Sequence, residues 1–358
     1  MSAIIFILCL AFLIIVHEFG HFLAAKKSGM KVEEFGVGLP PRIWGTKKGE
    51  TIYSINALPF GGFVRIYGED GSHEDEKDSF AAQKPSARLK ILLAGIVMNL
   101  VVGIVLLGIG FNIGIPAVAT KDNITYLKDI KLSVLEVQKD SPAALAGLKV
   151  GDRILEVSHG EEKISVPTAE ELQSFTKKWG GEEINLRVER GKEILEIKAT
   201  PRQNPEANQG ALGISIGETG MLKYPFFQSI WEAIKGGFSI FINVFIGLFL
   251  FLKNLIINGQ MMGEVAGPVG IVALGGQTVK MGIGYLIQFL ATLSIYLAAF
   301  NLIPFPALDG SRAFFVLIEQ IRGKAVPVKI ENLIHSIGFI ILIGLVIVVT
   351  FHDVINLF

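Results

Sequence analysis

Cysteine is nearly absent: Cys9 stands alone among 358 residues. That excludes an internal disulfide framework and any zinc site built on several thiolates. Net charge is absent too, with 33 basic residues against 33 acidic ones, so nothing points to nucleic acid as a partner. Charged side chains are scarce, at 18%, where soluble domains carry about 25%. Hydrophobic residues make up 51% of the chain and the mean hydropathy is +0.51, which excludes an ordinary soluble domain. The first apolar run, Ile4 to Ala25, lacks a basic segment ahead of it and an A-x-A-like cleavage site after it. It is therefore expected to be a retained span, closed by Lys26 and Lys27, rather than a signal peptide.

What that run does contain is Val16-His17-Glu18-Phe19-Gly20-His21. Ionisable groups inside a span are costly and mark function by default. On a helix, His17 and His21 are four residues apart and share a face, so both rings can reach one ion. Glu18 lies one position round, beside that ion. H-E-x-x-H on a helix is the zincin pattern of two zinc ligands and a general base. The competing reading is a histidine pair satisfied by neighbouring helices.

From Lys26 to Lys90 the chain is polar and strand-like, with short runs at Val32 to Val37, Thr51 to Ile55 and Phe63 to Tyr67. Leu39-Pro40-Pro41 and Pro59-Phe60-Gly61-Gly62 punctuate them. This reads as a connecting loop or as a β-hairpin layer lying against the site. Asp70 to Asp78 is expected to be an acidic, mobile tip. Lys26, Lys27, Lys31, Lys84, Arg88 and Lys90 crowd its membrane-proximal ends, which places the segment in the cytoplasm. A second span is expected at about Ile91 to Ile115, its glycines at 95, 103, 108, 110 and 114 permitting close helix packing. Asn99 is its strong polar group, bonding either a neighbouring helix or the active site.

Residues 117 to about 217 are charged and alternating. Strands are expected at Ser133 to Val137, Arg153 to Val157, Ile184 to Arg190 and Ile194 to Thr200. Ser141 would cap a short helix with Pro142 in its first turn, and Thr168 to Lys178 has helical periodicity. With S-P-A-x-x-A-G-L-x-x-G-D at its head, this segment resembles a PDZ domain, a module that takes an extended peptide as an added strand. Beyond Tyr224-Pro225, the run Ile230 to Leu252 is apolar but interrupted by Gly236-Gly237, Ser239 and Asn243. A stronger helix covers Tyr285 to Ile303, ended by Pro304 and Pro306, and the last span covers Leu333 to Phe351. Asp309 follows the two prolines in irregular backbone at membrane depth, where a cation ligand would suit it.

HEFGH in a first span, a PDZ-like insert, and N-x-x-P-x-P-x-L-D-G at Asn301 to Gly310 together resemble the site-2 protease family, closest to the regulator of sigma-E protease group. The resemblance covers essentially the whole chain. It implies that His17, His21 and Asp309 hold zinc (Zn2+), that Glu18 is the catalytic base, and that Asn301 helps hold substrate. It also makes Gly61, Gly62, Phe63 and Val64 part of a membrane-associated β-loop that pairs with an unwound substrate helix. Two departures stand out: one PDZ-like domain where well-known members carry two, and Ala94-Gly95-Ile96 where the family's second span often reads A-G-P.

The expected architecture is a polytopic α-helical membrane protein with four spans, an inserted PDZ-like β/α domain and a membrane-associated β-hairpin loop. Residues 1–116 and 224–358 form the two parts of the membrane core, and 117–223 the PDZ-like domain. The expected activity is intramembrane zinc endopeptidase, cutting transmembrane segments of single-span proteins. The resemblance implies anti-sigma factors or remnant signal peptides as substrates. The remaining expected partners are peptide termini at the PDZ-like domain and membrane lipid. The expected site of action is a bacterial inner (cytoplasmic) membrane, with the PDZ-like domain periplasmic. A zinc transporter or sensor would instead leave Glu18 dispensable, and an inactive PDZ scaffold would ignore chelators. Asp309 must meet the histidines, so its helix is expected to run inward; 230–252 would then lie in the outer leaflet, broken at its glycines and Asn243, or form a re-entrant pair with 263–284.

Overall fold

A computed structural model describes residues 1–191, 193–205, 210–259, 267–324 and 326–357. In chain order it contains α1 (Ser2–Lys27), β1 (Val32–Lys48), β2 (Thr51–Ile66), α2 (Pro85–Ile113), β3 (Ile115–Val118), β4 (Leu127–Val137) and α3 (Pro142–Leu145). There follow β5 (Arg153–His159), β6 (Glu162–Ser165), α4 (Ala169–Lys178), β7 (Ile184–Arg190), β8 (Glu193–Ala199) and β9 (Ile214–Leu222). The chain closes with α5 (Phe226–Asn258), α6 (Pro268–Met281), α7 (Ile283–Leu302), α8 (Asp309–Arg322) and α9 (Val328–Leu357). Two compact units emerge, one of Met1–Ile109, Ile230–Val279 and Leu286–Phe358, the other of Gly110–Ser229 and Lys280–Tyr285.

In the first unit, glycines set the helix spacing. A methyl on Gly20 of α1 would lie 2.5 Å from the Ala94 carbonyl oxygen of α2, and one on Gly103 would lie 3.0 Å from the Ala291 carbonyl of α7. The Ser294 hydroxyl donates to the Asn99 carbonyl at 2.8 Å, joining α7 to α2 again. Successive contacts of α1 (His17 with Asn99, His21 with Ile91) run backwards along α2, so the two are antiparallel. Gly284, at the start of α7, abuts Gly114 just past the end of α2, so α7 reverses α2 in turn.

Among the described residues, five helices (α1, α2, α5, α7 and α9) are long and apolar enough to cross a membrane. The expected breaks in 230–252 are absent: α5 runs unbroken for 33 residues. A glycine inside a helix costs only about 1 kcal/mol, far less than baring backbone groups in an apolar medium. Asn243 is satisfied within the helix by Ser239, at 3.4 Å. Of the glycine-rich stretch 263–284, residues 263–266 lie outside the described residues, and Pro268–Met281 is the helix α6.

The polar segment after α1 is a hairpin longer than its expected short strands. β1 and β2 each fold back, so that Phe35 faces both Val64 and Tyr53. Glu34 is buried within it; burial pushes its carboxyl up, but hydrogen bonds from Ser54 (2.7 Å) and Arg42 (2.6 Å) outweigh that and hold it below the usual range. In the acidic tip, Glu76 accepts a hydrogen bond from Tyr67 and His73 stacks on the Tyr67 ring.

The second unit is a seven-stranded antiparallel sheet in the order β3-β9-β4-β5-β7-β8, with β6 on β5. Strict alternation buries Ile184, Leu186 and Val188 of β7, which pack with Val134, Ile154, Val157, Leu172 and Phe175. Each such side chain contributes about 1.5–3 kcal/mol. Ser141 caps α3 with Pro142 in its first turn, as expected, and Thr168 and Glu171 form a capping box on α4. Asp152 is fully buried and accepts two hydrogen bonds from Arg190, each 2.7 Å, plus the Lys149 N–H. Those bonds push the Arg190 guanidinium up, against the effect of its own burial. The strand β9 was not expected, because Gly217 and Gly220 dilute its apolar alternation.

Candidate metal centre

α1 carries His17 and His21 on one face, and α8 begins at Asp309. The loop before α8 is shaped by the two prolines: α7 stops at Leu302, one residue short of its expected end, since the residue before a proline avoids helix. Ala307 then takes a left-handed φ of 78°, and its N–H donates to His335 Nδ1 of α9 at 3.1 Å. Gly310 packs so closely on the Leu302 and Ile303 carbonyls that no larger residue fits. Proline, a strained alanine and glycine together swing the Asp309 carboxylate back toward α1.

There, His17 Nε2 lies 2.8 Å from Asp309 Oδ2, His21 Nε2 3.3 Å from the same oxygen, and the two Nε2 atoms are 3.1 Å apart. Zinc bonds of ~2.0–2.1 Å at tetrahedral angles put neighbouring ligand atoms roughly 3.3 Å apart. The three donors thus form a triangle of the size zinc needs, and two imidazoles with one carboxylate are a donor set it accepts. With Nε2 turned inward, the protons sit on Nδ1. His21 Nδ1–H donates to the Ile91 carbonyl at 2.8 Å, and His17 Nδ1 faces the Asn99 amide at 3.3 Å. Such outer contacts fix ring orientation and tautomer.

Glu18 stands outside the triangle, as its helical position requires. Its Oε2 accepts the Val64 N–H of β2 at 3.2 Å. Gly61, with a left-handed φ of 78°, Gly62, Phe63 and Val64 run beside α1, and a methyl on Gly62 would lie 3.4 Å from Ile15 and 3.8 Å from the Glu18 side chain. The hairpin-layer reading of this segment, not the plain loop, is the one observed. Phe63 itself packs its ring on Gly36.

A cavity of about 230 Å³ is lined by Ile14, His17, Glu18, Asn99, Leu297, Asn301, Ala307, Leu308 and Asp309. Glu18 and Asn301 therefore share a cavity with His17 and Asp309 of the triangle. Three participants were not singled out from the sequence as part of the site. The Ile91 carbonyl and His335 carry no local signal of their partners. Gly95 is one of the helix-packing glycines, and a methyl there would run into His21 Nε2 and lie 2.8 Å from His17 Cε1.

A model of peptidase family M50 matches residues 5–345. A Clostridium perfringens protein that bears a provisional zinc metalloprotease name is 33% identical over 357 residues, covering 99% of both chains. "Zinc metalloprotease RasP" of Shouchella clausii is 30% identical over 99% of this chain and 98% of its own. "Regulator of sigma-W protease RasP" of Bacillus subtilis is 28% identical over 100% of this chain and 99% of its own.

Proposed function

The chain belongs to peptidase family M50 and is a multi-pass zinc metalloprotease, and from that premise we propose that it cuts single-span membrane proteins within their transmembrane segments, in regulated intramembrane proteolysis. The carrying observation is the triangle of His17, His21 and Asp309 with Glu18 beside it, set in helices that read as membrane spans. His17, His21 and Asp309 hold the metal. Zinc, when bound, supplies a Lewis acid that polarises a carbonyl and acidifies water. Glu18 takes a proton from the attacking water at its free carboxylate oxygen and delivers it to the leaving amide nitrogen. Asn301 and the stretch Gly61 to Val64 hold the substrate chain, which must leave its helix for its peptide carbonyl to be reached. Anti-sigma factors and remnant signal peptides are the substrate class this reading favours.

Residues 1–116 and 224–358 form the membrane core, and 117–223 a PDZ-like domain that binds peptide termini and filters substrates by what remains outside the membrane. The location is a bacterial inner (cytoplasmic) membrane, with the PDZ-like domain on the periplasmic face. Incubation of the purified protein with a single-span substrate is expected to yield two fragments joined at a bond inside the span. A chelator should abolish the cut and added zinc restore it; cleavage insensitive to chelation, or only outside the span, would refute the reading.

Four complete crossings, α1, α2, α7 and α9, fit the site. Tyr224, just before α5, donates its N–H to Phe111 near the end of α2. Asp353, near the end of α9, accepts the N–H groups of Gly267 and Gly270, and Gly275 and Gly276 of α6 lie against Phe6 and Ala3. So α5 starts, and α6 lies, at the end of the bundle where α1 begins. The eight residues between α5 and Pro268, other than Gly267 itself, are too few for a return crossing, which takes about 20. Single cysteines replacing Asn258 and Gln277, with Cys9 removed, should both react with a membrane-impermeant reagent from outside. Reaction of the Asn258 site only from the cytoplasm would show α5 to be a fifth crossing.

A further inference from the structure

The amide of Asn99 is oriented by a neighbour that cannot accept what it offers. Asn99 is 1% exposed, between α1 and α7. His17 presents Nε2 to Asp309 and His21, so its Nδ1 carries the proton and needs an acceptor. The Asn99 amide meets that nitrogen at 3.3 Å with one end, while its other end is buried without a hydrogen-bond partner among the described residues. The amide's oxygen and nitrogen are interchangeable in shape and are assigned from the bonds they make. The assignment that satisfies His17 puts the Asn99 oxygen on Nδ1–H and leaves the NH2, a pair of donors, at the unpartnered position. A buried donor without an acceptor is destabilising, and Asn99 lines the cavity it shares with Glu18, Asn301 and Asp309.

We propose that Asn99 is a catalytic residue whose carboxamide oxygen orients His17 and whose NH2 donates to the scissile carbonyl oxygen of the substrate. The inference rests on the peptidase reading above. As the water oxygen bonds to the carbonyl carbon, the π electrons of the C=O move onto oxygen, where the Asn99 N–H stabilises the growing charge. When the C–N bond breaks, those electrons return to the carbonyl and Glu18 hands its proton to the departing nitrogen.

Two variants separate the two jobs. Asn99→Asp keeps an oxygen for His17 but has no donor; Asn99→Ala lacks both. Zinc affinity, measured by competition with a chromophoric chelator, should stay near wild type in Asn99→Asp and fall ~10–100-fold in Asn99→Ala. At saturating zinc, kcat should fall ~10²–10³-fold in both, with KM little changed. An added charge could explain only the first loss, and a misoriented His17 only the second. Wild-type kcat in either zinc-loaded variant would overturn the donor role. Unchanged zinc affinity in Asn99→Ala, or its loss in Asn99→Asp, would overturn the bond to His17. Failure of the wild-type protein itself to cleave would count against the peptidase reading, not against the zinc-affinity half of this one.

Discussion

Glu18→Gln is expected to keep zinc and lose turnover. The side chain stands beside the His17, His21 and Asp309 triangle, not in it. Among the described residues its hydrogen bond comes from the Val64 N–H, and a glutamine oxygen accepts that bond equally well. The fold, the hairpin's seat on α1 and the metal should therefore survive the substitution. What goes is, among the described residues, the only carboxylate lining the cavity other than Asp309, which lies against the histidines. Loss of a positioned base slows proton transfer by ~10²–10⁴-fold. His17→Ala, His21→Ala and Asp309→Ala should behave differently, losing zinc and activity together. Metal content and cleavage rate measured on the same preparations distinguish the two patterns. Near-wild-type cleavage by Glu18→Gln, or loss of its zinc, would mean the base has been misassigned.

The residues that cluster at the site were legible where they contradicted their surroundings. Two histidines and a glutamate in an apolar run mark a functional site by default, and an aspartate after two prolines at membrane depth calls for a partner. Which atoms meet was not legible, because α1 and α8 are joined only by the tertiary fold. The carbonyl of Ile91 has no side chain to advertise it, and His335 serves the site from α9 by holding a backbone N–H one loop away. In the sheet unit, Ile184 to Arg190 could be read directly, since its alternation is uninterrupted. The strand β9, inserted between β3 and β4, was hidden by glycines that the sheet uses for close approach, Gly220 to the Lys128 carbonyl and Gly217 to Leu135.

The expected breaks in α5 fail for the opposite reason. Gly236, Gly237 and Asn243 break helices in water, where backbone freed from a helix finds solvent. In an apolar setting there is nothing for it to bond, so the helix persists. Gly237 even serves packing, since it lies against Ile104 of α2. Local propensity of about 1 kcal/mol per glycine decides a helix boundary only when the alternative is cheap.

Gly95→Ala is the substitution in which local and tertiary preference conflict most sharply. For helix formation alone, alanine is favoured over glycine by about 1 kcal/mol, so α2 should form at least as readily. But the new methyl would point at the metal-facing edge of both imidazoles, into His21 Nε2 and within 2.8 Å of His17 Cε1 and His21 Cε1. Neither ring can retreat freely: His21 is tied to the Ile91 carbonyl and His17 is backed by Asn99, both on the same helix as the intruding methyl. α2 could draw back only by giving up its close packing on Gly20 of α1, where a methyl would lie 2.5 Å from the Ala94 carbonyl oxygen. The rings must rotate out of the triangle. Zinc affinity is expected to fall at least ~10–100-fold, the range for disturbing the groups that orient metal ligands, and cleavage to fall with it. Helix content by circular dichroism should be unchanged. Gly247→Ala in α5, where nothing lies within 4 Å of the added methyl, is the matched control and should leave both zinc and activity intact. Wild-type zinc affinity in Gly95→Ala would show that α1 and α2 stand further apart than this packing requires, and that some other contact sets the spacing of the two histidines.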